Sequence, residues 1–171
     1  MNEDEYLKII TPFKDKVFRV AKRLLVSIEE AEDATQEVFL KLWKHRQKLK
    51  DYNSPEAFAM TITKNWCFDR LKSKQAQNLK IVHNNYEDHS RSLQKSIEVN
   101  DSLQWVKTHM DALPEKQKLI LQLRDIEQYE FKEIAKIVNM TETNIRVSLS
   151  RARKTIREKL TKTHNYGIKK H

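Results

Sequence analysis

Apolar positions along this chain recur at the spacing of helices with one buried side, and no stretch sustains the alternation of a strand. Four helical stretches fit residues 3–75. Two precede Leu25, with Pro12 tolerable in a first turn. The third opens at Ser27, which stands in capping-box spacing with Glu30, and it sets Ile28, Ala31, Ala34, Val38, Leu42 and Leu49 along one broad face. The fourth begins with Ser54 as N-cap and Pro55 as first helical residue, turning Phe58, Ile62, Trp66 and Leu71 inward.

From about Gln75 to Asn100 the apolar period is lost, so residues 76–100 read as a polar linker without a core of its own. A second helical group spans 101–162. Leu103, Val106, Met110 and Leu113 share one face; Pro114 starts the next helix, where Leu119, Ile120, Leu123 and Ile126 continue the core. A short helix burying Phe131, Ile134, Ala135 and Val138 then meets the turn Asn139-Met140-Thr141. Asn139 tolerates the left-handed conformation and Thr141 is a good N-cap, which is helix-turn-helix spacing. In the last helix Ile145, Leu149, Ala152 and Ile156 point inward, while Thr143, Val147, Ser150 and Lys154 project nearly opposite, flanked by Asn144, Arg146 and Arg151. Such a face suits the major groove: Asn and Arg read base edges, Val meets a thymine methyl, and cations meet phosphates. The expected architecture is all-α, two small helical domains joined by the linker and followed by a basic tail over 163–171.

Composition sharpens this picture. One Gly and three Pro leave few turn signals, as helices require. The 33 Lys and Arg outnumber 24 Asp and Glu for a net charge of +9, and residues 141–171 alone hold nine of those cations against two acids. Positive charge at one end points to nucleic acid. The single cysteine, Cys67, excludes an internal disulfide and fits a reducing cytoplasm. No apolar run is long enough for a membrane span, and the opening MNEDEY does not resemble a signal peptide. The six histidines have no metal-ligand spacing and no Gly-rich phosphate loop is present, so neither a metal, a cofactor nor an enzymatic role is expected. One feature runs against the charge: Glu29, Glu30, Glu32, Asp33 and Glu37 crowd a helix with no cation before Lys41.

Three blocks, in order, resemble the RNA polymerase sigma factors of the extracytoplasmic function (ECF) group in the sigma-70 family. AEDATQEVFLKLW is similar to the polymerase-binding helix of region 2, SPEAFAMTITKNWCFDRLKSK to the promoter-melting helix after it, and ALPEKQKLILQLRDIEQYEFKEIAKIVNMTETNIRVSLSRARKTI to region 4. The resemblance covers nearly all of residues 5–160. It implies a sigma factor that binds core RNA polymerase through the β′ clamp helices and the β flap, recognises −35 and −10 promoter elements and helps melt the −10 DNA. The acidic helix would then face a protein: Glu32, Asp33, Gln36 and Glu37 dock on the clamp helices, with Leu40 and Trp43 adding apolar contact or joining the core. For −10 DNA the resemblance implies Asn65 beneath an extruded base, Met60 and the Lys50–Ser54 loop lining that pocket, and Lys64, Arg70, Lys72 and Lys74 on the strand backbone. Trp66 would stack on a base or belong to the core. For −35 DNA it implies Asn144, Arg146, Val147 and Arg151, with Arg124 on the backbone. Members of the family often carry Ser at position 147, Arg at 148 and Gly-Leu at 128–129, where this chain has Val147, Ser148, Gln128 and Tyr129. The linker would lie in the polymerase channel towards the RNA exit, and an anti-sigma factor is a further partner the resemblance admits.

A polymerase-independent helix-turn-helix regulator is the competing reading. It predicts tight duplex binding by the free protein and gives the acidic helix no role. A lone module buries only about 600–1,000 Å² on DNA, and no heptad segment offers dimerisation as compensation.

Overall fold

The computed structural model describes residues 1–84 and 102–168. The front half holds α1 (Glu3–Ile10), α2 (Lys14–Leu25), α3 (Ile28–Lys44) and α4 (Pro55–Asn84), with 3₁₀ turns at Thr11–Phe13 and Arg46–Asp51. The back half holds α5 (Ser102–Asp111), α6 (Glu115–Leu121), α7 (Phe131–Val138) and α8 (Glu142–Ile168); α6 continues into a π-helical turn over Gln122–Ile126. Among the described residues there is no strand.

Side-chain caps set several starts. The Ser27 hydroxyl accepts from Glu30 N–H at 3.3 Å, Ser54 from Ala57 N–H at 3.1 Å, and Thr141 from Asn144 N–H at 3.2 Å. The box expected at Ser27 is only half made, because the Glu30 carboxylate turns away to Arg70 and Lys74. A complete box forms instead at Glu130 and Glu133, heading α7.

Val17, Val20, Ala21 and Leu24 of α2 meet Ala31, Ala34, Val38 and Leu42 of α3, closed by Ala59, Met60 and Cys67 of α4. Burial pushes the Cys67 thiol up to about 12, so it stays protonated and inert. In the back half Leu119, Ile120 and Leu123 pack with Ile134, Ile137, Ile145, Leu149 and Ala152. Three residues expected in these faces lie outside them: Ile28, Ile126 and Leu103 are 56%, 48% and 69% exposed. Each sits near an element end, where a face drawn by period overshoots the packed surface. The segment expected to be linker from residue 76 stays helical through Asn84, since its Lys, Gln, Ala and Leu are good helix formers. Likewise α8 carries the basic tail on as helix to Ile168.

The two domains are packed together through a polar clasp. Arg19 on α2 donates through Nε and Nη2 to both oxygens of Glu127, at 2.8 and 2.7 Å, and Gln122 Nε2 donates to the same carboxylate at 3.1 Å. Arg23 donates to Gln122 Oε1 at 3.1 Å and to Asp111 at 2.9 Å. Nearby, Glu56 Oε1 accepts from Tyr129 at 2.6 Å and from Lys16 at 2.7 Å, with the Lys16 ammonium 5.3 Å from the Tyr129 ring. The π-helical turn places these acceptors: Glu127 N–H bonds to Gln122 C=O and Tyr129 N–H to Leu123 C=O. Between them Gln128 takes φ 62°, the left-handed region that glycine occupies without strain.

Candidate nucleic-acid interface

Helices α7 and α8 are joined at Asn139, which adopts φ 53° and ψ 51°. That left-handed residue ends α7, and the Thr141 cap starts α8 two residues later. Ile145, Leu149 and Ala152 are buried, so α8 is fixed in rotation about its axis. Thr143, Asn144, Arg146, Val147, Ser150, Arg151 and Lys154 therefore all lie exposed on one outward surface. Val147 is 43% exposed at its centre, with no apolar neighbour required by the core.

Two of the candidate cations are held rather than loose. The Arg146 guanidinium lies 3.9 Å from the Phe131 ring centroid, and Arg124 lies 4.5 Å from the same ring while donating to Tyr129 C=O at 2.8 Å. Phe131 thus positions both arginines by cation–π contact, a role its helical spacing did not disclose. Arg153 is committed to Asp125 by two bonds. Lys154 is only 3.9 Å from Glu158, a weak surface pair.

On α3, Glu32, Asp33, Gln36, Glu37 and Leu40 are exposed, Leu40 at 47%. No ion pair among the described residues engages Glu32, Asp33 or Glu37. Glu30, a turn earlier, is different: its pairing with Lys74 and Arg70 outweighs burial and holds its carboxyl below the ordinary 4.5. The acidic helix thus spends one carboxylate internally and presents a run of unpaired ones. Trp43 resolves towards packing, set edge-on to Tyr6 at 4.9 Å with Arg46 over its ring at 4.3 Å.

On α4, Lys64 is half-buried, and Asn65 and Lys72 are exposed beside it. Arg70 and Lys74 reach back to Glu30, which takes up part of their donors and leaves the rest free. Met60 requires a correction: it is 1% exposed, on the side of α4 that faces the core, so it does not line a pocket. Trp66 is half-buried and packs against the core. The exposed aromatic of this region is Tyr52, 36% exposed in the loop before α4 and stacked on Phe58 at 4.5 Å. The three-residue run Tyr52-Asn53-Ser54 gives no periodicity by which to find it. Among the described residues there is no metal-binding cluster, and no helix is long and apolar enough to cross a membrane.

Comparison with known proteins gives a consistent result. Residues 9–77 match the family Sigma-70 region 2, and residues 103–156 match Sigma-70, region 4. The chain is 22% identical to the ECF RNA polymerase sigma factor SigW of Bacillus subtilis, over 93% of this chain and 90% of that one. Its fold is similar to the sigma factor RpoE in complex with the anti-sigma factor NepR from Bartonella quintana (TM-score 0.74, 18% identity, 92% of this chain and 97% of that one). It is also similar to CnrH in complex with the cytosolic domain of CnrY (TM-score 0.65, 15% identity, 94% of this chain and 90% of that one).

Proposed function

Because this chain belongs to the sigma-70 family of RNA polymerase sigma factors, in the ECF group, and so serves transcription initiation, we propose that it divides that task between two surfaces. The outward face of α3 docks on the β′ clamp helices of core polymerase, and the outward face of α8 reads the −35 element. The observation that carries this reading is the opposition of the two faces: unpaired carboxylates at Glu32, Asp33 and Glu37, and exposed Asn144, Arg146 and Arg151 around Val147. The family is regulatory, and no catalytic step is assigned to the chain.

For −35 DNA, Asn144, Arg146 and Arg151 contact base edges or the flanking backbone, Val147 meets a thymine methyl, and Thr143, Ser150 and Lys154 complete the face. Phe131 holds Arg146 and Arg124 in place beforehand, which lowers the ordering cost of contact. For −10 DNA, Asn65 receives an extruded base while Lys64 and Lys72 meet the strand; unstacking that base costs a few kcal/mol, which the pocket must return. Tyr52 is suited to stack on a neighbouring base. Region 2 is assigned to 3–75 and region 4 to 101–162, with work in a cytoplasmic setting. A protein of the anti-sigma class is a further partner, by analogy with the RpoE and NepR complex.

Runoff transcription with purified core polymerase and a library of promoter DNA tests the assignment. Specific transcripts should require both proteins. Gln36→Ala combined with Glu37→Ala should weaken core association while leaving the helix content unchanged. Tight duplex binding by the free chain, with no effect on core polymerase, would establish the independent regulator instead.

A further inference from the structure

We propose that the cleft between the two domains is a binding site for a nucleoside polyphosphate, and that occupancy holds the domains together. The cleft has a volume of about 610 Å³ and is walled by α3, α4, α6 and the α7–α8 turn. Four lysines from three helices converge on it: Lys41, Lys64, Lys72 and Lys116. None of them takes part in an ion pair among the described residues, and Asp69 is the sole acid on the wall. Like charges gathered around one cavity repel each other, and an anion of several charges relieves that repulsion. Burial lowers the proton affinity of Lys64, and the nearby Lys116 ammonium lowers it further.

The rest of the lining selects among anions. Phe68, Leu119 and Met140 give an apolar floor that inorganic phosphate cannot use but a nucleobase can. Asn65 and Asn139 place side-chain amides, with both donors and acceptors, at the wall, and the Asp69 carboxylate suits a ribose hydroxyl. A cavity of this size falls within the range of small-molecule sites, about 300–1,000 Å³. Lysines are common phosphate ligands acting as point charges. Lys64, Asn65 and Lys72 belong to one domain and Lys116, Asn139 and Met140 to the other, so a ligand spanning both favours the packed arrangement. A second consequence rests on the −10 reading given above: a ligand on Lys64 and Asn65 excludes −10 DNA.

The test is isothermal titration of the full chain with ATP in the presence of EDTA, with sodium triphosphate and with a −10 single-stranded oligonucleotide as separate titrants. ATP should bind, triphosphate should bind about tenfold more weakly for want of a base, and Lys116→Glu should weaken ATP by about tenfold or more. Lys116→Gln should fall between, and circular dichroism checks that both variants are folded. The site is overturned by three results: no ATP binding up to about 1 mM, equal affinity for triphosphate and ATP, or ATP binding indifferent to both Lys116 variants. Oligonucleotide binding without ATP binding likewise overturns it, leaving a strand groove. If ATP binds as stated but the oligonucleotide, titrated into ATP-saturated protein, binds as tightly as to the free chain, the −10 placement of Lys64 and Asn65 fails, while the nucleotide site stands.

Discussion

Removing Arg19 isolates the energetics of the clasp. Arg19→Ala deletes both bonds to Glu127, whose side chain is only 2% exposed and keeps just the Gln122 amide. Breaking one side of a buried pair costs roughly 3–5 kcal/mol, because a charge stays buried without its partner. Arg19 itself is 47% exposed on its side chain, so water fills part of the vacated space and the cost must be reduced. About 1–3 kcal/mol against the packed arrangement remains, a shift of about 5–150-fold towards separated domains. Dyes on Lys8→Cys and Lys132→Cys, both exposed and in different domains, report the change, and buried Cys67 stays unlabelled. Energy transfer should fall in the alanine variant, and Arg19→Lys should keep part of it. Unchanged transfer in a folded alanine variant would refute the view that this ion pair holds the domains together.

Three other outcomes follow from positions already described. Glu30→Gln should lower the thermal midpoint at neutral pH and flatten its decline in acid. The Glu30 carboxyl is held below 4.5, so its contribution is complete above that value and is lost as pH falls through the folded one; parallel curves for the two proteins would contradict this. Gln128→Gly should raise the midpoint by about 1–4 °C, since relief of the left-handed strain exceeds the added chain entropy by ~0.5–1 kcal/mol. A fall in scanning calorimetry would count against it. Arg151→Ala should reduce runoff from −35-dependent promoters while core association, measured by gel filtration, is unchanged.

Much of the fold is legible because its cues are local. Ser27, Ser54 and Thr141 announce helix starts through caps that reach three residues ahead, and Asn139 announces the turn. The inward set Ile145, Leu149 and Ala152 follows from period alone and fixes the exposed face opposite. What escapes is whatever depends on distance along the chain. Arg19 and Glu127 are 108 positions apart, and nothing in either segment marks them as partners. Met60 shows the limit on a single helix: periodicity alone does not fix whether a residue beside the inward stripe is buried, and here the neighbouring helices cover it completely. The π-helical turn is equally hidden, since one extra residue per turn leaves no compositional trace.

The ionic make-up of the Arg19 and Arg23 contacts has a consequence for how the protein responds to its medium. Added electrolyte weakens the exposed side of these contacts and loosens the two halves, and it also erodes the attraction for phosphates proposed for α8. The two do not offset each other, because the outward face of α8 is already exposed while the halves are packed. Duplex binding by that face should therefore decline steadily from dilute to concentrated salt, whatever the halves do.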